Sequence, residues 1–220
     1  MTDLTLEDYF ALLANGDIDE RRNAAWYLGR QRDDRVILPL ISALADPDDD
    51  VRLRVVEALG NLRDDRTVMP LVSALAEDNP KIRAQVVASL GRQRDFRAFQ
   101  ALLDLLYDGD AGVRTASAEG LGKLPDDRAI MPLISVMLDD EDDDVRYFAS
   151  KSVLAIGGKN VVDGLLLVLQ SQPSAGSIIT ILEILAELKD VRAIPQIEAL
   201  KTHPDDGVSA TAKWALTQLG

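Results

Sequence analysis

Apolar residues along this chain repeat at two spacings. Val51, Val55, Leu59 and Leu62 fall three to four residues apart, with Val56 beside them, which is the period of one helix face. Val68, Leu71, Val72 and Leu75 do the same in the next segment. The whole pattern then returns. Val51-Arg52 through Leu59-Gly60 is echoed by Glu20-Arg21 through Leu28-Gly29, Ile82-Arg83 through Leu90-Gly91 and Val113-Arg114 through Leu121-Gly122, with the four glycines 31 residues apart. Each glycine is followed by an Asp-x-Arg, at Asp33–Arg35, Asp64–Arg66, Asp95–Arg97 and Asp126–Arg128. Pro-Leu comes next at Pro39, Pro70 and Pro132, replaced in the third copy by Ala101-Leu102.

Later copies are degenerate. Val145-Arg146 opens the fifth, with Leu154 in the glycine slot; the sixth has Ile178 in the arginine slot and Ala186 in the glycine slot. The last runs from Val208 to Leu219. A period of this length predicts paired helices that bury their apolar faces only by stacking on neighbours. The predicted architecture is an all-α solenoid, an alpha-alpha superhelix. It forms one domain over 1–220, with hairpins at 5–31, 34–62, 65–93, 97–124, 127–156, 159–188 and 191–219. Corner aspartates suit N-caps, whose carboxylates accept from free first-turn N–H groups. Thr5 and Asp8 have capping-box spacing at the first helix. Pro39, Pro70 and Pro132 are expected about one turn inside their helices, where little hydrogen bonding is lost. The recurring glycines are read as mid-helix positions kept for close helix approach, since glycine there costs about 1 kcal/mol against alanine. Gly157-Gly158 is expected to mark a change in the stacking.

Composition narrows the chemistry. The 220 residues contain no cysteine and one histidine, which removes disulfides, thiolate sites and most histidine-based metal or acid/base centres. No metal site and no cofactor are predicted. His203 sits in a corner before the last helix, with no nucleophile motif to complete a triad. The net charge is −13. A polyanion would be repelled at long range, so nucleic acid is not an expected partner. No apolar run is long enough to span a membrane. Met1-Thr2-Asp3-Leu4 lacks a basic n-region, so the chain reads as cytoplasmic.

The repeated Val-Arg-x-x-(Ala/Val)-x-x-Leu-Gly, followed by Asp-x-Arg and Pro-Leu, resembles the HEAT-like repeats of the PBS-lyase type, an armadillo-type α-solenoid family. The resemblance is strongest from Glu20 to Arg146. It implies E/F-type phycobilin lyase subunits, phycobilisome factors and scaffold proteins as relatives, with deoxyhypusine hydroxylase and a DNA glycosylase as enzymatic cousins. The hydroxylase needs recurring His-Glu pairs, and this chain has none. In such proteins the Val-Arg helix lines the concave face. Carried over, that places Arg22, Asn23, Trp26 and Arg30 in a candidate partner groove, then Leu53, Arg54, Glu57 and Asn61. Ala84, Gln85, Ala88 and Arg92 follow, then Thr115, Ala116, Glu119 and Lys123. Tyr147, Phe148 and Lys151 come next, then Ile179, Thr180 and Glu183, and finally Trp214.

These positions hold Arg22, Arg30, Arg54, Arg92, Lys123 and Lys151 against Glu57, Glu119 and Glu183. A mildly positive groove in an acidic chain predicts a protein partner with an acidic or mixed surface, anchored by arginine and tryptophan. The expected function is a non-catalytic scaffold or adaptor. The alternative implied by the resemblance is a phycobilin lyase subunit or phycobilisome-associated factor, with a phycobiliprotein as partner and a bilin as ligand. The arginine column Arg21, Arg52, Arg83, Arg114 and Arg146 is read as structural, each forking onto corner carboxylates or carbonyls. The acidic runs at 46–50 and 139–144 lack the alternating ligands and glycine of a calcium loop and read as solvated caps. Residues 176–188 are apolar almost all round, and with 165–169 they predict either a tight local core or a subunit contact.

Overall fold

The computed structural model describes residues 4–219; Met1, Thr2 and Asp3, part of the N-terminal leader reading, lie outside them. Every regular element among the described residues is helical. The chain divides into two compact units after Leu124.

Unit 1 contains α1 (Leu6–Asn15), α2 (Ile18–Leu28), α3 (Ile37–Ser42), α4 (Asp49–Leu62), α5 (Asp65–Ser73), α6 (Pro80–Gln93), α7 (Phe99–Leu105) and α8 (Ala111–Gly122). The chain enters α1 through the expected capping box. The Thr5 hydroxyl accepts from the Asp8 N–H, and the Asp8 carboxylate accepts from the Thr5 N–H. Asp17 and Glu20 repeat the device at α2. Asp48 caps α4, Asn79 caps α6 and Asp110 caps α8.

The first helix of each pair is less regular than its apolar period suggests. Short 3-10 turns precede α3 and α7, at Asp34–Val36 and Phe96–Ala98. Others follow α3 and α5, at Ala43–Ala45 and Ala74–Ala76. Proline is not the common cause, because the Phe96–Ala98 turn has none. Asp-x-Arg is shared by the entering corners. Asp33, Asp64 and Asp95 each accept the N–H two residues on, from Arg35, Arg66 and Arg97, and each carboxylate also takes that arginine's guanidinium. The same bond stands at Asp64, where α5 begins directly as an α-helix, so it marks the corner without setting the turn type.

The second helices, α2, α4, α6 and α8, pack side by side over Val51, Val55, Val56, Leu59, Val86, Leu90 and Leu121, all essentially buried. Each large aliphatic side chain there contributes about 2 kcal/mol. The recurring glycines mark the closest approaches. A Cβ on Gly29 would lie 2.5 Å from the Ala58 Cβ, and one on Gly60 would lie 2.5 Å from the Ser89 Cβ. At Gly91 the facing atom is the Gly120 Cα, 3.2 Å away. Small residues therefore face small residues, Ala58, Ser89 and Gly120, each two positions before the next glycine. The mid-helix expectation is corrected at two of the four: Gly29 caps α2, and Gly122 is the last residue of α8.

The arginine column ties successive repeats together. Arg21 donates to the Asp46 carboxylate at 2.7 and 3.0 Å, Arg52 to Glu77 at 3.0 and 3.2 Å, and Arg83 to Asp108 at 2.9 and 2.8 Å, each 25 residues on. The remaining nitrogen reaches a carbonyl of the preceding corner: Arg21 to Gly16, Arg52 to Asp46, Arg83 to Glu77 and Arg114 to Asp108. Asp46, Glu77 and Asp108 thus each take one arginine on the carboxylate and the next on the backbone. The ladder closes the loops that join the helices and satisfies half-buried charges with charge-assisted bonds.

Unit 2 contains α9 (Ile130–Asp139), α10 (Asp143–Ile156), α11 (Gly158–Gln170), α12 (Ala175–Leu188), α13 (Ile194–Ala199) and α14 (Asp206–Leu219). Gly157 and Gly158, with φ of 58° and 78°, make the tight link from α10 to α11. Gly164 faces Ile130, Ile134 and Met131 of α9. The apolar α12 is enclosed by α10, α11 and α14, burying Ile178, Ile181, Leu182, Ile184 and Leu185. Residues 176–188 are thus core of this unit, and the apolar surface that suggested a subunit contact there is covered. On α11, Leu167 stays exposed.

Candidate partner-binding face

In unit 1 the groove residues lie on one face of α2, α4, α6 and α8. Asn23, Arg54, Gln85 and Ala116 share one repeat slot; Trp26, Glu57, Ala88 and Glu119 share another; Arg30, Asn61, Arg92 and Lys123 a third. None of these side chains is buried. Arg22, Asn23, Trp26, Asp50, Leu53, Arg54, Glu57 and Gln85 together line a shallow groove of about 620 Å³. Trp26 is 44% exposed. The Arg30 guanidinium lies 4.0 Å from the centre of its ring and donates to its carbonyl at 3.0 Å, which holds the indole against one face as a preset anchor. The side-chain amides of Asn23 and Gln85 line this groove and make no hydrogen bond among the described residues.

The electrostatics differ from the positive groove expected. Arg22 pairs with Asp19 at 2.6 Å and Arg54 pairs with Glu57, each three residues away on the same helix. Lys123 pairs with Glu119 at 2.7 Å. The lining holds two arginines and two carboxylates, because Asp50 joins it. The groove is therefore balanced. Cations without a carboxylate partner lie at its edge instead. Arg30 stacks on Trp26, and Arg92 donates to the Ser89 hydroxyl while its Nε is buried without an acceptor. Sequence reading missed Asp50 and a further row at this edge, Arg32, Arg63 and Arg94, although its 31-residue spacing was visible.

In unit 2, Tyr147 and Phe148 of α10 form an edge-to-face pair at 5.3 Å, and the Lys151 ammonium lies 5.7 Å from the Tyr147 ring. Tyr147 also borders a depression of about 400 Å³ with Met137, Leu138, Arg146, Ser150, Ser177 and Thr180. Ile179 and Thr180 are half-buried, while Glu183 and Trp214 are exposed. Trp214 is 47% exposed on α14. The Asp142 N-cap and an Arg146 bond to the Asp140 carbonyl repeat the corner chemistry of unit 1.

The corner carboxylates are held ionised. The Arg66 guanidinium pulls Asp64 down from 3.8 to about 2, although partial burial opposes it. Asp33, Asp95, Asp126 and Asp190 move the same way, each chiefly through the arginine two residues on. For Asp46 and Asp108 burial pushes upward, but the Arg21 and Arg83 hydrogen bonds and a backbone N–H outweigh it, and both end lowered. These shifts follow from ion pairing that holds corners together, and none falls on a group placed to transfer a proton.

A family model of HEAT repeats matches residues 6–81 and 68–153. No curated protein matches the chain. Among solved structures, a chain from the complex of CpcE and CpcF of phycocyanin lyase from Nostoc sp. PCC7120 is similar with a TM-score of 0.63 and 23% identity, over 100% of this chain and 96% of that one. A chain from the structure of Kap95p with RanGDP gives a TM-score of 0.74 at 12% identity, over 97% of this chain and 34% of that one. A designed armadillo repeat protein in complex with the peptide (KR)4 gives 0.52 at 19% identity, over 99% of this chain and 100% of that one. At these identities the likeness establishes the fold, the α-α superhelix of HEAT and armadillo repeats. No helix among the described residues is long and apolar enough to cross a membrane.

Proposed function

The chain belongs to the HEAT-repeat family, and from that premise we propose that it is a non-catalytic scaffold that binds a protein partner on the α2–α4–α6 face of unit 1. One observation carries the reading: a preset, half-exposed Trp26 stands in a groove with two uncommitted side-chain amides, Asn23 and Gln85. Aromatic anchors surrounded by adaptable polar groups are the usual energetic centre of an interface. The balanced charge of Arg22, Asp50, Arg54 and Glu57 favours a partner surface of mixed charge over a uniformly acidic one. Three structures of similar fold are complexes with protein or peptide partners, which supports the same class of function.

A second reading, a phycobilin lyase subunit or phycobilisome-associated factor, is supported by the near full-length match to a chain of the CpcE–CpcF complex. Under it the partner is a phycobiliprotein and the ligand a bilin, whose propionates would have to compete with Asp19 and Glu57 for Arg22 and Arg54.

The test is affinity capture from the native lysate with wild type and with Trp26→Ala/Arg54→Glu. A protein retained by wild type and lost by a folded variant supports the groove. A coloured phycobiliprotein in that fraction selects the second reading. Equal capture by both proteins would remove the groove as the binding surface.

A further inference from the structure

Arg32, Arg63 and Arg94 occupy one repeat slot in unit 1; Arg63 and Arg94 directly follow α4 and α6, and Arg32 lies in the loop four residues after α2. All three are exposed, and among the described residues none makes a side-chain hydrogen bond or ion pair. The neighbouring carboxylates are already engaged. Asp33, Asp64 and Asp95 hold Arg35, Arg66 and Arg97. Asp34 and Asp65 lie 3.5 and 3.9 Å from Arg66 and Arg97. Arg30 and Arg92, two residues before Arg32 and Arg94, also lack a carboxylate. Set against Asp33, Asp34, Asp64, Asp65 and Asp95, the arginines at positions 30, 32, 35, 63, 66, 92, 94 and 97 leave this edge with a surplus of positive charge in a chain of −13.

The backbone adds an independent observation. Arg63 and Arg94 have φ of 52° and 55°, the left-handed region that helix ends normally give to glycine. Lys189 takes the same conformation at the end of α12, with φ of 53°, so a long basic side chain recurs at this cap. A cation after a helix C-terminus is favoured by the dipole, yet these guanidinium groups donate to none of the terminal carbonyls. On the opposite edge, the corners 46–50, 77–79 and 108–110 carry carboxylates and no lysine or arginine. Of these, Asp46, Glu77 and Asp108 are taken by Arg21, Arg52 and Arg83.

The structure assigns the Arg32–Arg63–Arg94 edge as a docking surface for an extended acidic segment of a partner protein. Packed helices stand about 8–10 Å apart. A polyproline II chain advances about 3.1 Å per residue with three residues per turn. Carboxylates at every third position therefore fall on one side, at the spacing of successive arginines. A nucleic acid strand carries a charge on every nucleotide, whereas these arginines stand one per repeat, so intermittent carboxylates fit better. The inference goes beyond the groove, and its variants leave the groove residues intact, so either reading can fail without the other.

The test titrates the full chain into a fluorescein-labelled peptide of four Glu-Pro-Pro triplets and follows anisotropy at low salt. Saturable binding is expected. It should weaken about tenfold or more in Arg32→Glu/Arg63→Glu/Arg94→Glu and fall as salt is raised. The matching Gln-Pro-Pro peptide should not bind. Arg63→Gly/Arg94→Gly removes the charge while relieving the backbone, so it should bind more weakly at an unchanged or higher Tm. No saturable binding, or equal binding by both variants, overturns the assignment. Tighter binding of an oligothymidylate than of the acidic peptide overturns it in favour of nucleic acid.

Discussion

Arg83 forks onto Asp108 through two hydrogen bonds, at 2.9 and 2.8 Å, across 25 residues of chain. The Asp108 side chain is only 9% exposed and that of Arg83 17%, so each largely depends on the other for the hydrogen bonds that water would supply. The Arg83 Nη1 also holds the Glu77 carbonyl. One side chain therefore fixes two successive corners, and Arg52 and Arg21 do the same one and two repeats earlier.

Removing one partner leaves a nearly buried carboxylate without its cation. Arg83→Ala should destabilise the protein by about 1–3 kcal/mol. Arg22→Ala breaks an exposed pair whose Asp19 side chain is 73% exposed, and should cost under about 0.5 kcal/mol. Urea unfolding of the two variants checks the contrast. Equal losses would mean that the ladder is no more structural than a surface pair.

Gly60→Ala tests the small-on-small packing. Alanine is the better helix former by about 1 kcal/mol, yet its Cβ would stand 2.5 Å from the Ser89 Cβ. Overpacking of this kind costs about 1–3 kcal/mol, so the variant should be net destabilised. Gly109→Ala meets no atom within 4 Å and should leave stability within about 0.5 kcal/mol. Thermal melts of both variants distinguish a packing role from a merely permissive one.

Acid should unfold the protein through its corners. Folding lowers Asp64 from the ordinary 3.8 to about 2, chiefly through Arg66, so the unfolded chain takes up the proton first. Its contribution is complete above about pH 4 and is lost as pH falls toward 2. Asp33, Asp46, Asp95 and Asp108 are lowered too and act with the same sign. Tm should be nearly flat from neutral pH to about 5, then fall steeply between about 4 and 2. Asp64→Asn should shallow that fall. An unchanged slope in this variant would show that the corner pair is not the titrating element.

The repeat itself was legible because packing imposes its period directly on the sequence. Val51, Val55 and Leu59 must face neighbours, and Gly60 must let Ser89 approach. Asp-x-Arg was legible as a corner but not as a 3-10 turn, since Asp33, Asp64 and Asp95 make the same bond and only Asp33 and Asp95 are followed by one. The +31 register placed Trp26, Arg54 and Gln85 on one face. Its charge was overstated because only Glu57, Glu119 and Glu183 were set against the cations, while Asp19 pairs with Arg22 and Asp50 joins the lining. Arg63 and Arg94 were overlooked for a related reason: nothing in an Arg-Asp pair announces a left-handed backbone.

The central claim is that partners bind across α2, α4 and α6. Hydrogen–deuterium exchange of the captured complex against the free protein tests it most directly. Binding on this face predicts slowed exchange confined to segments spanning 22–30, 53–61 and 84–92, with α3, α5 and α7 unchanged. Protection of α3 and α5, around the exposed Leu38 and Met69, with none on α2 or α4, would contradict it.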